Sequence, residues 1–163
     1  MGKEKWIVLP DFMSQEQRSR AMSKVRGSNT KPEKAIRSYL HAKGFRFRLH
    51  CANLPGKPDI VLKKYNAVIF VHGCFWHNHR GCKKATFPET RKEFWKQKIG
   101  NTVLRDRTNI QHLTDSNWRI AIIWECTTKN KLVLKNALEN LTSWLLGDSK
   151  FFECSNPNYQ IEL

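Results

Sequence analysis

The chain has 163 residues, with 29 Lys and Arg against 14 Asp and Glu, a formal charge of +15. That length suits a single domain, and an apolar fraction of 40% with 11% aromatics can build a core, which excludes a wholly disordered polyelectrolyte. No apolar run approaches the ~20 residues that cross a bilayer, and nothing longer than Ile7-Val8-Leu9 follows the start, so no secretion signal is read and a cytoplasmic protein is expected.

Residues 1–13 read as a loose leader. Residues 14–26 suit a short basic helix with Met22 and Val25 on one side, broken by Gly27-Ser28-Asn29. A second helix starts at Thr30: Thr30 can cap, Pro32 is tolerated in the first turn, and Glu33 completes a capping box. Ala35, Ile36, Tyr39 and Leu40 follow at helical spacing until Gly44. Phe45 to Leu49 alternates apolar and basic residues, as a strand with one wet face does. After a turn-rich loop over 53–58, the β-branched runs Asp59–Leu62 and Ala67–Val71 are joined at hairpin spacing. Residues 72–90 are irregular and rich in His, Cys, Gly and Pro. A long helix is predicted over 91–114, with Phe94 and Ile99 on its core stripe and Trp95 among Lys92, Lys96 and Lys98. Trp118–Trp124 reads as a buried strand and Leu132–Leu146 as an apolar-striped helix, and residues 151–163 carry no pattern and read as a tail. The fold class is therefore α/β, a mixed central sheet flanked by helices, with one domain over 14–150.

The charge is unevenly placed: residues 14–50 carry +8, residues 51–114 carry +8, and residues 115–163 carry −1. Nucleic acid is the polyanion that fits, because neutralised phosphates release condensed counterions. A membrane surface is disfavoured, since the basic residues do not line one amphipathic helix. The cysteine count of five is odd and no secretion signal is read, so metal ligands or buried thiols are expected rather than disulfides.

Three constellations can carry chemistry. Asp59, at a strand start beside a basic loop, is a reasonable Mg²⁺ ligand; the plainer reading is a loop-to-strand cap. Cys74, His79 and Cys82, with Cys126 just past a distant strand, make a Cys₃His set suited to structural zinc; the alternative is buried thiols and surface histidines. That set leaves His77 over, and a spare imidazole there can serve as a general base. Phe75 and Trp76 in the same loop, and Trp95 among its lysines, are candidates to stack on or wedge between bases; the alternative for Trp95 is that it is core and the helix register is misread.

The blocks MSKVRGSNTKPEKAIRSYL, FRFRLHCANLPGKPDIVL, AVIFVHGCFWHNHRGC, TRKEFWKQKI, VLRDR and NWRIAIIWEC occur in that order. Together they resemble the very-short-patch-repair (Vsr-type) DNA mismatch endonucleases over roughly residues 14–146, and the combination of HGCFWH with a following Cys and with WEC is specific. The resemblance implies a fold like the PD-(D/E)xK restriction-endonuclease superfamily. It implies Mg²⁺-dependent nicking of one DNA strand 5′ to the thymine of a T:G mismatch left by deaminated 5-methylcytosine. By resemblance Asp59 is the catalytic Mg²⁺ ligand, assisted by the backbone carbonyl of Val71. His77 activates water, His72 is a second active-site histidine, Glu33 orients metal-bound water, and Asp106 is a supporting acid. Cys74, His79, Cys82 and Cys126 hold structural Zn²⁺. Phe75, Trp76 and Trp95 insert from the major groove, Met22 enters from the minor groove, and Lys98 and Thr102 face the mismatched bases. Implied too are a monomer in the prokaryotic cytoplasm, associated with the nucleoid, and functional links to a cytosine-5 DNA methyltransferase and a repair polymerase. Two departures stand out. Thr102 occupies a position where the family pattern has Asn, and Arg80-Gly81 lengthens the cysteine loop by one residue, an insertion that Gly81 can absorb. Two other classes remain open: a restriction-type nuclease cutting paired sites, and a zinc-stabilised DNA-binding module without catalysis.

Overall fold

The computed structural model describes residues 14–25 and 27–159. The expected leader 1–13 and the end of the expected tail, 160–163, lie outside the described residues.

Helix α1 (Gln15–Ser23) begins with a reciprocal capping box between Ser14 and Gln17 and ends sooner than its basic pattern suggested, leaving Val25 50% exposed. Helix α2 (Lys31–Ala42) starts as expected, with Thr30 and Glu33 capping each other, and buries Glu33, Ile36 and Leu40. The alternating run after it pairs only at β1 (Arg48–Leu49): Phe45 drops into the core against Tyr65, whereas Leu49 stays 41% exposed. Strands β2 (Ile60–Leu62) and β3 (Ala67–His72) form the expected hairpin, closed by Asn66 in the left-handed region at φ 48°. Asn is one of the few side chains that tolerate this.

Helix α3 (Lys92–Asp115) then carries the chain to β4 (Arg119–Trp124), which lies parallel to β3 over six residue pairs. Helix α4 (Lys131–Leu146) leads to β5 (Phe151–Cys154), parallel to β4. This last strand corrects the expectation of a featureless tail from residue 151. Its pattern is only four residues long and half exposed, too weak to read without β4 beside it. The sheet order is β1-β2-β3-β4-β5, antiparallel at one end and parallel at the other.

Strand alternation divides the core in two. Ile60, Leu62, Ile69 and Ile123 face Ile36 and Leu40 of α2 and Leu141 and Leu145 of α4. Val61, Val68, Phe70, Ile120 and Ile122 face Leu113 of α3 and the cysteines Cys74, Cys82 and Cys126. The Arg119 side chain is buried beneath the end of α4. It donates to the carbonyls of Trp144, Leu145 and Ser149, which ties the C-terminal end of that helix to β4. Among the described residues no helix is long and apolar enough to cross a membrane.

Candidate active site and metal centre

Two groups come together where β2, β3 and β4 meet the irregular 72–90 segment, around a cleft of about 1850 Å³. The first is centred on Asp59, the residue before β2. Its Oδ2 accepts the Val71 amide at 2.8 Å, so the antiparallel hairpin itself sets the carboxylate against the end of β3. Burial is the main reason its pKa is raised to about 6, and the nearby Glu33 charge adds to this. A buried carboxylate that resists ionisation invites a cation, and the donor set is hard oxygen, which suits Mg²⁺. Glu33 lies near, but its carboxylate is spent on its own helix start. Oε1 accepts from the Thr30 amide and hydroxyl, and Oε2 from the Asn29 amide and Arg37. Its link to Asp59 runs through His50, whose ring lies 3.6 Å from Glu33 and 3.7 Å from Asp59.

The second group is His72, His77 and Asp106. His72 ends β3, and His77 stacks flat on it with ring centres 3.8 Å apart and planes 4° off parallel. Asp106, on the inward face of α3, meets His77 Nδ1 at 2.5 Å. With Asp106 accepting, the proton sits on Nδ1, and Nε2 is the nitrogen with a free lone pair. Burial, helped by the cost of placing a second positive charge beside His77, lowers the His72 pKa to about 3, which favours the neutral ring. The structure thus brings His72, His77 and Asp106 together, with Asp59 on the same cleft.

The cysteine loop is folded tightly beside them. His79 N–H donates to Cys74 O and Cys82 N–H to His79 O, and Asn78 and Gly81 adopt positive φ. Gly81 adopts φ 72°, a conformation glycine reaches without strain. The ligating atoms of Cys74, His79, Cys82 and Cys126, all buried, lie within 4.8 Å of one another. Cys126 Sγ is 3.7 Å from His79 Nδ1, and ligands at zinc bond lengths on a tetrahedron stand about 3.5–3.8 Å apart. The four residues therefore fit a tetrahedral structural metal. Hydrogen bonds from Cys74, His79 and the Asn156 amide lower the Cys126 thiol pKa, the direction that favours a metal-ligating thiolate. Asn156, fully buried, also donates through its side chain to the Cys126 carbonyl. Sequence reading missed Asn156 because it lies beyond β5 in the segment read as a tail. All five cysteines are free, with Cys51 and Cys154 outside this group.

The aromatic candidates form one cluster with a different internal order from that expected. Trp95 is 6% exposed and packs with Phe87 and Ile99, while Phe94 is 42% exposed. The core stripe of α3 thus runs through Trp95 and Ile99: Ile99 lies on it as expected, and Trp95 takes the place expected for Phe94. Phe75 and Trp76, both half-buried, pack edge-on against Trp95, and Met22 of α1 rests on the same cluster. The Lys98 ammonium sits 5.6–5.7 Å from the rings of Trp76, Phe94 and Trp95. Arg91 covers the Phe94 ring. Thr102 spends its hydroxyl on the Lys98 carbonyl at 3.2 Å. The expected consequence is a split between two tryptophans. Trp95→Ala should lose about 3–5 kcal/mol of stability, as large buried aromatics do. Trp76→Ala should unfold close to the wild type and lose affinity for DNA; equal losses of stability in denaturant unfolding would contradict this placement.

A family model described as DNA mismatch endonuclease Vsr matches residues 10–84. The chain is 44% identical over 133 residues to the type II nicking enzyme V.XorIIP of Xanthomonas oryzae pv. oryzae, covering 82% of this chain and 97% of that protein. It is 41% identical over 142 residues to the DNA mismatch endonuclease Vsr of Escherichia coli, covering 86% and 90%. It is 38% identical over 133 residues to the type II nicking enzyme V.NmeAIP of Neisseria meningitidis, covering 82% and 94%. With a cleft that gathers carboxylates and histidines beside a Cys₃His group, and with likeness over nearly the whole length of these relatives, the chain belongs to the Vsr family of DNA mismatch endonucleases.

Proposed function

We propose that this protein is a Mg²⁺-dependent endonuclease that nicks one strand of double-stranded DNA 5′ to the thymine of a T:G mismatch, acting as a monomer. The observation that carries the reading is the Asp106–His77–His72 stack sharing one cleft with Asp59. The antiparallel hairpin β2–β3 followed by the parallel strand β4, with the acid at the hairpin's mouth, is the arrangement expected of a PD-(D/E)xK nuclease core. The superfamily's second carboxylate and lysine would fall at Val71 and Gly73, which cannot play those parts, so the histidines take over proton transfer.

His77 takes the proton of the attacking water on Nε2. Asp106 keeps the other nitrogen protonated and stabilises the imidazolium that forms. His72, held neutral, supports the ring without competing for charge. Asp59, with the Val71 carbonyl, would hold Mg²⁺, which when bound neutralises charge developing on the phosphate oxygens. Lys24, Lys57, Arg91 and Arg105 line the cleft and give the backbone its grip. Phe75 and Trp76 supply the apolar edge that enters the stack beside a weak pair, where unstacking costs least. A single catalytic group per chain suits a single nick. Functional links to a cytosine-5 methyltransferase and a repair polymerase follow from the same reading.

The test is nicking of an end-labelled T:G duplex in Mg²⁺, mapped to the nucleotide. His77→Ala should bind that duplex like the wild type and nick ~10²–10⁴-fold slower. Cleavage of both strands of a fully paired duplex would favour a restriction-type enzyme. Binding without any nick would favour a DNA-binding module.

A further inference from the structure

We propose that Arg37 and His50 form a positioning relay that fixes Asp59, rather than a further pair of metal ligands; this rests on the nuclease reading above. Pairing of Leu49 with Ile60 places the next residue, His50, opposite Asp59, and the His50 amide donates to the Asp59 carbonyl at 3.4 Å. His50 adopts φ 46°, a conformation uncommon outside glycine and kept only where surroundings enforce it.

Its ring lies between two carboxylates. Nε2 is 3.6 Å from Glu33 Oε2, and Nδ1 is 3.7 Å from Asp59 Oδ1. By the proximity of their ligating atoms, within 4.8 Å of one another, Glu33, His50 and Asp59 could be a metal triad. The hydrogen-bond roles argue otherwise. Arg37 Nη2 is 2.8 Å from His50 Nε2. A guanidinium can only donate, so Nε2 accepts, and a neutral imidazole must then carry its proton on Nδ1. Neither ring nitrogen has a lone pair left for a metal. The Nδ1–H instead faces Asp59 Oδ1, close enough for its dipole to act on the carboxylate.

Arg37 is itself anchored. Nη1 donates to Asn29 Oδ1 at 2.7 Å, and Nη2 also meets Glu33 Oε2 at 2.5 Å. The start of α2 is thereby wired through one guanidinium and one imidazole to the start of β2. Asp59 then has Oδ2 fixed by the Val71 amide at 2.8 Å and Oδ1 facing the His50 ring at 3.7 Å, beyond hydrogen-bond distance but within electrostatic reach. Outer partners that orient a metal-binding carboxylate typically change affinity by 10–100-fold when removed.

The test compares three variants with the intact wild type. Mn²⁺ binding to the DNA-free protein is followed by electron paramagnetic resonance, and the Mg²⁺ concentration for half-maximal nicking is measured in parallel. His50→Gln can accept from Arg37 through its carbonyl and donate to Asp59 through its amide, so it should stay within ~3-fold of the wild type in both readings. His50→Leu should weaken Mn²⁺ binding by ~10–100-fold and raise the Mg²⁺ requirement alike, with unchanged DNA affinity. His50→Asn, too short to reach both partners, should fall with leucine. The relay is overturned if His50→Leu binds Mn²⁺ as the wild type does, if glutamine fails as badly as leucine, or if the wild type does not bind Mn²⁺. A wild type that binds Mn²⁺ but leaves T:G duplexes intact counts against the nuclease reading instead.

Discussion

Asp59→Asn is expected to nick at least ~10³-fold more slowly than the wild type and, without divalent cation at pH 8, to be more stable by ~2–3 kcal/mol. The rate loss follows from removing the cation's ligand, since charge neutralisation by a metal supplies several kcal/mol of transition-state stabilisation. The gain in stability follows from the raised pKa. The folded protein holds the Asp59 proton until about pH 6, whereas an unfolded chain releases it near 3.8. Between those values the native state binds more protons, so stability falls as pH rises through the window, and the full cost is present above pH 6. Two units correspond to ~3 kcal/mol, and asparagine removes that cost while its carbonyl can still accept from Val71. The difference in melting temperature between variant and wild type should therefore shrink to nothing near pH 4. Mg²⁺ should raise the melting temperature of the wild type at pH 8 and leave Asp59→Asn unmoved. A variant less stable than the wild type at pH 8 would show that Asp59 is a structural cap.

We propose that the Cys₃His group holds zinc, and removing that zinc is expected to disable chemistry and mismatch choice together. Cys74 and Cys82 bracket the loop that carries Phe75, Trp76 and His77, and Cys126 ties that loop to the end of β4. The cluster also forms part of the core on the α3 side of the sheet. Structural zinc sites contribute ~10–16 kcal/mol of apparent binding energy in small domains, as much as the whole stability margin of ~5–15 kcal/mol. Cys126→Ala should be purified without zinc, lose cooperative thermal unfolding, and show neither nicking nor preference for T:G over T:A duplexes. Cys51→Ser, outside the cluster, should keep about one zinc per chain and full activity. Elemental analysis with melting curves decides it; a zinc-free Cys126→Ala protein that melted like the wild type would remove the metal from the account.

Where sequence reading succeeded, the signal was local. The Thr30–Glu33 box needs only four residues to be recognised, and it forms as expected. The hairpin from Asp59 to His72 is set by two β-branched runs and the Asn66 turn. The Cys₃His group could be proposed from spacing because a loop of nine residues leaves the ligands little room to separate. Where it failed, the deciding contact was distant. Trp95 is buried with Phe75, Trp76 and Phe87 around it, and the one sign within α3 that sets it apart from Phe94 is its four-residue spacing to Ile99, where Phe94 meets Lys98. β5 exists because β4 offers it an edge, and Asn156 matters because that strand delivers it to Cys126. His50 was missed for the same reason: its place opposite Asp59 is a matter of register, visible only once Leu49 is paired with Ile60. Its one local sign, a histidine directly after an alternating run that faces the acid-bearing strand, is too common to single it out.

We propose a division of labour in which Asp59, His77 and Asp106 cut and the Phe75–Trp76 edge chooses where. Single-turnover nicking measures it most directly, on one duplex sequence prepared with T:G and with T:A at the same position. The expected result is a single cut 5′ to the thymine of the T:G duplex, at least ~10²-fold faster than any cut in the T:A control, since mispaired steps lower the unstacking cost by a few kcal/mol. Equal cleavage of the two duplexes, or cleavage of both strands of either, would contradict it.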